Sequence, residues 1–278
     1  MTTVKTCLAL SQELEPISDS ARLDTEVLLA KAINKPRAFL YTWAEQELGT
    51  AELERFNDWF QRRLNGEPIA YILGEKEFWS LNFKVNAHVL IPRPETELLV
   101  ETVLEILADE PKSILDLGTG SGAIALALAH ERPNWEILGV DESQAAVALA
   151  IENCRALGLT NVAINRSYWY KNVQGRFDAI VCNPPYISDD DSHLGEGDVR
   201  FEPRSALVAA QNGLADLKVV ITGAPNFMMD RGLLFVEHGW QQGPAVRELF
   251  SSNGFENINT KKDLAGHDRM TYAQRGKP

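Results

Sequence analysis

The sequence is short of the features that mark secreted, membrane-bound or metal-dependent proteins. It has three cysteines in 278 residues, Cys7, Cys154 and Cys182, widely separated and odd in number, so it encodes neither a disulfide framework nor a paired metal site. Cys182 closes an apolar stretch and reads as a small buried side chain rather than a nucleophile. The five histidines, His88, His130, His193, His238 and His267, are scattered without ligand spacing, and no metal is expected. His238 follows an apolar run and reads as a structural hydrogen-bonding group rather than a base. No segment approaches the roughly 20 apolar residues of a membrane span. The amino terminus, MTTVKTCLALSQELEP, is too acidic and too poor in apolar residues for a secretory signal, so the expected location is cytoplasmic.

Runs of lysine and arginine are also missing. With 27 basic and 39 acidic residues the formal net charge is −12, which argues against bulk affinity for a nucleic-acid backbone. Such a surface suits a basic protein partner better, and the acidic run Asp189-Asp190-Asp191 reads as a solvated loop that could meet one. Repeats and low-complexity tracts are lacking. The 45% apolar and 24% charged shares are those of an ordinary globular protein, long enough for one α/β domain and a smaller companion.

Residues 1–72 read as a helical domain. Leu23, Val27, Leu28 and Ala30 fall on one helical face, with Asp24 and Glu26 between them. Leu53, Phe56, Trp59, Phe60 and Leu64 make a second face, with Arg55, Asp58, Arg62 and Arg63 opposite. Residues 73–92 carry short alternating runs such as Leu81–Val85 and read as a β-hairpin linker. Residues 93–278 begin with a proline-led helical turn at Pro94-Glu95-Thr96-Glu97. Arg93 and Glu95 there read either as lining a substrate entrance or as an ion pair bracing the two domains.

From about residue 112, strands alternate with helices. Strands are expected at 113–117, 136–140, 162–165, 177–182, 233–237, 257–259 and 270–273, with helices ending near 130, 157, 228 and 250. This rhythm predicts a doubly wound, mostly parallel seven-stranded sheet with ligands at the carboxyl ends of its strands.

Two motifs fall at such ends. The first is Asp116-Leu117-Gly118-Thr119-Gly120-Ser121-Gly122, whose alternate glycines allow a tight turn and close approach to a ligand. Asp141 ends the next strand, 19 residues after Gly122, where its two oxygens suit the two hydroxyls of a ribose. Dinucleotide sites share this logic but use G-x-G-x-x-G. Here the third glycine comes one residue early and Asp116 precedes the first, which suits the ammonium end of S-adenosylmethionine better than a pyrophosphate. NAD stays the rival.

The second motif is Asn183-Pro184-Pro185-Tyr186. Its prolines stop the strand and fix the backbone at the sheet edge. The Asn183 side-chain oxygen and the Pro184 carbonyl can accept both N–H groups of a planar nitrogen and aim it at a methyl group. Tyr186 could lie flat against the same group and exclude water.

The two motifs together resemble class I methyltransferases that modify amide or exocyclic nitrogens. Along nearly its whole length the chain is similar to the release-factor glutamine N5-methyltransferases. The matching stretches are Asp24–Leu29, Gly66–Gly74, Ile91–Glu97, Val199–Pro203 and Glu237-His238-Gly239. The resemblance implies that S-adenosylmethionine is the donor. It also implies that Gly118, Thr119, Gly120, Ser121, Gly122, Asp141, Trp169 and Asn183 hold that donor. Asn183, Pro184, Pro185 and Tyr186 would then hold the glutamine of the Gly-Gly-Gln tip of bacterial translation release factors. The helical domain would help dock the release factor, and the enzyme is expected to act as a monomer. One departure is Tyr168, which stands where relatives commonly carry an acid near the adenine; Trp169 can still stack on the ring. An adenine N6-methyltransferase would use the same Asn-Pro-Pro-Tyr grip, but the charge opposes it. A ribosomal-protein glutamine methyltransferase is the nearer rival, opposed by Arg93–Thr96.

Overall fold

The computed structural model describes residues 2–276. The chain forms two compact units, Met1–Gly74 with Ser192–Phe201, and Glu75–Asp191 with Glu202–Pro278.

In the first unit, helices Ala21–Ala32 and Thr50–Leu64 share a core of Leu14, Leu28, Leu29, Leu40 and Phe56, all fully buried. The expected face of the first of these helices is partly wrong. Leu23 is 44% exposed, whereas Asp24 and Glu26 are buried. Their burial follows from partners that helical periodicity does not reveal. Asp24 accepts Arg63 Nε at 2.8 Å and the hydroxyls of Ser18 and Ser20. Glu26 accepts Arg22, Arg37 and the Tyr41 hydroxyl, which together hold it below the usual carboxylate range despite burial. Arg63, expected on the outer face, is likewise buried and also reaches Asp198 at 2.8 Å.

The second unit opens with a hairpin of β1 (Glu75–Phe78) and β2 (Leu81–Lys84). This hairpin lies within the expected linker at 73–92 and packs into the second unit. Phe78 and Phe83 meet edge to face at 6.1 Å and lie in a core shared with Leu99 and Val103. Asn153 clamps Lys84 through both its backbone groups.

The sheet contains β3 (Ser113–Leu117), β4 (Glu136–Asp141), β5 (Val162–Arg166), β6 (Phe177–Cys182), β7 (Met228–Glu237), β8 (Phe255–Lys262) and β9 (Asp268–Arg275). Its order is β5-β4-β3-β6-β7-β9-β8, with β3 to β7 parallel and β9 antiparallel to both neighbours. Alternate strand residues face opposite cores, Ile114 among Leu126 and Leu128, Leu115 among Leu217 and Ile221. Strand β7 begins at Met228, where the sequence predicted helix. Pro225 stands in a short 3-10 turn, Ala224–Asn226, that ends helix Ala215–Gly223 early. After two strands on one side of β3, the chain crosses to β6 on the other, so the switch point lies between β3 and β6.

Replacing Arg63 by Met strands Asp24 as a buried charge without its cation. We expect a loss of about 3 kcal/mol in urea unfolding followed by a probe in the helical unit. A change within a few tenths would show that the serines suffice.

Candidate active site

The strand register assembles the site. Leu117 pairs with Val140 on one side and with Cys182 on the other, and Cys182 pairs with Val236. The residues one step further along each strand are Gly118, Asp141, Asn183 and Glu237, so all four emerge together at the carboxyl edge. A cavity of about 340 Å³ opens there, lined among others by Gly118–Ser121, Asp141, Trp169, Asn183 and Pro185.

The glycine loop is fixed by backbone bonds. Gly118 N–H and Thr119 N–H both donate to Val140 O at 2.9 Å. Gly118 and Gly122 have φ of 72° and 87°, and a Cβ at Gly122 would lie 2.9 Å from Leu126 Cδ1. Asp141 accepts Gly120 N–H on one oxygen at 3.0 Å and Ser143 N–H on the other at 2.8 Å. The carboxylate, with about four lone-pair sites, keeps capacity for a ligand hydroxyl.

Asp116 is placed differently from the sequence expectation. It is fully buried, absent from the cavity lining, and accepts the Thr119 hydroxyl at 2.7 Å. That hydrogen bond braces the loop from behind. Burial pushes its carboxyl up to about 7, with the Asp141 charge adding to the rise.

Trp169 lies on the cavity wall in a left-handed backbone conformation, φ 45°, pinned by the Ser167 hydroxyl to its carbonyl at 2.7 Å. Its ring comes within 3.5 Å of the position a Cβ on Gly118 would take. Tyr168 also lines the cavity and is 53% exposed. The lining holds three carboxylates, Asp141, Glu142 and Asp216, and among the described residues its one arginine or lysine is Arg93. Arg93 is itself neutralised by the buried Glu202, which also accepts Ile91 N–H, so the ion pair lies within the second unit.

At the second motif, Asn183 gives Nδ2 to Thr96 Oγ1 at 3.1 Å. That leaves its carbonyl Oδ1 as the acceptor available to a ligand. Pro185 lines the cavity, whereas Pro184 is buried. Tyr186 is not on the wall. It packs against the core around Leu217, and its hydroxyl reaches Glu237 Oε1 at 3.2 Å. Burial and the Glu237 charge raise its phenol. Sequence reasoning missed Thr96, Ser143, Asp216 and Glu237 as site residues. Only the strand-end position of Glu237 offered a signal.

His238 is fully buried and holds Thr271 Oγ1 and Gly239 O at 2.9 Å each, and burial lowers its pKa, so it is a structural group. Cys182 is fully buried with its thiol pushed up by burial, the reverse of an activated nucleophile.

Because the folded state raises the Asp116 pKa from 3.8 to about 7, it binds an extra proton across that interval, and stability falls as pH rises through it. Thermal unfolding should have a lower midpoint at about pH 8 than at about pH 5, and Asp116→Asn should shrink the difference. An undiminished difference would place the titration elsewhere.

Two family models match the chain: a PrmC N-terminal domain at residues 9–74 and a methyltransferase small domain at 94–197. The chain is 55% identical to a release factor glutamine methyltransferase of Pseudomonas aeruginosa, over 99% of both chains. It is 46% identical to the Escherichia coli protein of the same name, over 92% of this chain and 93% of that one. Among solved structures, a methyltransferase from Pyrococcus furiosus superposes with a TM-score of 0.56 at 18% identity, over 80% of this chain and all of that one. A T. thermophilus 16S rRNA N2 G1207 methyltransferase, solved with AdoMet and guanosine, gives 0.53 at 20% identity over 72% of this chain and 49% of that one. These structures share the fold, and the near full-length identity to the curated relatives shows that the chain belongs to the release factor glutamine methyltransferase family.

Proposed function

We propose that the protein transfers a methyl group from S-adenosylmethionine to the side-chain amide nitrogen of the glutamine in the Gly-Gly-Gln motif of bacterial translation release factors. The observation that carries this reading is the fixed orientation of Asn183, whose Nδ2 is committed to Thr96 at the edge of the cavity. A carboxamide presented as an acceptor matches a substrate nitrogen that carries two N–H donors.

The cavity suits this donor. Asp141 offers two anchored oxygens to a ribose, and Trp169 offers a ring face to adenine. Three carboxylates favour a ligand with a cationic centre and oppose a pyrophosphate, which counts against NAD. The donor supplies an electrophilic methyl group on a sulfonium centre. The chain supplies aim and charge stabilisation. A glutamine nitrogen is a poor nucleophile because its lone pair is spread into the carbonyl. Asn183 Oδ1 and the Pro184 carbonyl accept its two N–H groups and orient the remaining lobe. Both contacts strengthen as positive charge grows on nitrogen. No strong base is needed, since the N–H becomes acidic only after transfer. Within this reading the helical unit docks the release factor, in keeping with its own family match.

Incubation with labelled S-adenosylmethionine and purified release factor, followed by mass spectrometry of the tryptic peptide, should place the label on the Gly-Gly-Gln glutamine. Label on nucleic acid alone would overturn the assignment. Trp169→Ala should weaken donor binding in calorimetry about tenfold, and an unchanged affinity would remove Trp169 from the donor site. Asn183→Ala should lower kcat by about a hundredfold while donor affinity changes far less. Equal losses in both would make Asn183 a donor ligand first.

A further inference from the structure

The stretch Glu237-His238-Gly239 leads into a turn from which the Gln242 side chain reaches back to the Asn-Pro-Pro-Tyr motif. Gln242 Oε1 accepts Gly239 N–H at 2.9 Å. A backbone N–H can only donate, so the amide stands one way round, with Nε2 towards the motif. Nε2 donates to Tyr186 O at 3.0 Å and to Asn212 O at 3.3 Å.

Asn212 belongs to an unusual segment. Gln211, Asn212 and Gly213 are all left-handed, with φ of 57°, 55° and 79°. Two of them carry a Cβ, and such a run persists only where its surroundings hold it. A Cβ on Gly213 would lie 2.1 Å from Tyr186 O, so glycine is required there by contact as well as by φ. The Gln242 amide ties this turn and the end of the motif to one point.

The Gly239 end is itself held. His238 Nδ1 lies 2.9 Å from Gly239 O, and Nε2 lies 2.9 Å from Thr271 Oγ1 on β9. Thr271 Oγ1 is 2.9 Å from Thr260 Oγ1 on β8, which Arg247 Nη1 reaches at 3.0 Å. The two ends of this series fix its direction. A guanidinium only donates and a carbonyl only accepts, so Thr260 accepts from Arg247 and Nδ1 carries the proton that meets Gly239 O. In a fully buried, neutral ring, Nε2 takes the Thr271 proton and Thr271 takes that of Thr260.

We infer that Gln242, backed by His238, is a positioning residue for methyl transfer: it fixes the carboxyl-side end of the Asn-Pro-Pro-Tyr motif and with it the aim of the Pro184 carbonyl. At the other end, Asn183 follows β6 and gives Nδ2 to Thr96. Between the anchors stand Pro184 and Pro185, whose rings fix φ, and Tyr186, whose hydroxyl meets Glu237. With the Tyr186 carbonyl held as well, few torsions are left about which the Pro184 carbonyl can turn. Ile187, next along, gives its N–H to Leu207 O and accepts Ala209 N–H, and Val208 between them lines the cavity. The clamp therefore holds the motif and part of the cavity wall together.

The effect on turnover rests on the glutamine-methyltransferase reading; the hydrogen bonds do not. Gln242→Glu keeps the shape and the acceptor for Gly239 but turns a carboxylate oxygen towards two carbonyl oxygens. Gln242→Met keeps the length without either contact. With release factor and S-adenosylmethionine, we expect kcat to fall at least about tenfold in both, further in Gln242→Glu, while donor affinity in calorimetry stays within about twofold. A side chain that only fills space would give the reverse order, with Gln242→Glu the mildest change and Gln242→Ala the worst, and that order overturns the proposal. Should Gln242→Glu fail to fold, Gln242→Met decides alone, and a wild-type kcat there overturns it equally. Without any turnover, 13C NMR of the free protein labelled at tyrosine carbonyls should show the Tyr186 resonance shifted in Gln242→Met. In the wild type, 15N NMR should show His238 protonated at Nδ1. An unmoved Tyr186 carbonyl, or a ring protonated at Nε2 alone, overturns the clamp. If the wild type fails to methylate the release factor, the functional reading falls and the two NMR measurements still decide the clamp.

Discussion

The parallel hydrogen-bond ladder running from β4 through β3 and β6 to β7 puts the chemistry of this protein at one edge of its sheet. Both faces of the sheet are covered by apolar cores, so a one-residue slip of any strand would turn its buried residues to the wrong side. Register is therefore fixed by packing, and with it the row Leu117, Val140, Cys182 and Val236. The next residue on each strand is polar or glycine because each has a task beyond the ladder. Gly118 turns the loop and Asp141 anchors it, while Asn183 presents an amide and Glu237 lies buried against the Tyr186 hydroxyl.

The carboxylates at and behind this edge are desolvated, which changes their chemistry. Asp116 and Glu237 both rise to about 7 because burial disfavours their charge. Asp141 is raised for the same reason, although three backbone N–H groups resist the rise. The cavity beside them has a carboxylate-rich wall whose guanidinium, that of Arg93, is already paired. That wall favours a ligand with a cationic centre.

The local chemistry of the site was legible in the sequence because it is written in contiguous residues. Alternating glycines, a strand-end acid and a double-proline stop each act within a few positions. The doubly wound, mostly parallel seven-stranded sheet followed from the βαβ rhythm in the same way, although its strand order did not. What was not legible depends on distant partners. Thr96 meets Asn183 across 87 positions and Tyr186 meets Glu237 across 51, so neither pair leaves a spacing to read. The hydroxyl of Tyr186, the residue expected against the acceptor, is tied to Glu237. Asp116, expected at the donor, is buried and braces the loop through Thr119. The helix Ala21–Ala32 misled for a related reason, since Asp24 and Glu26 are buried only because arginines and hydroxyls from elsewhere reach them.

The central claim is that two fixed acceptors grip both N–H groups of one side-chain amide. It is tested most directly by counting methyl groups on the release-factor glutamine after long incubation with excess donor. Once one hydrogen is replaced by methyl, a single N–H cannot satisfy Asn183 Oδ1 and the Pro184 carbonyl together, and the new methyl group meets an acceptor. Intact-mass and fragment spectra should show one methyl and no more; steady accumulation of dimethylated glutamine would contradict the grip.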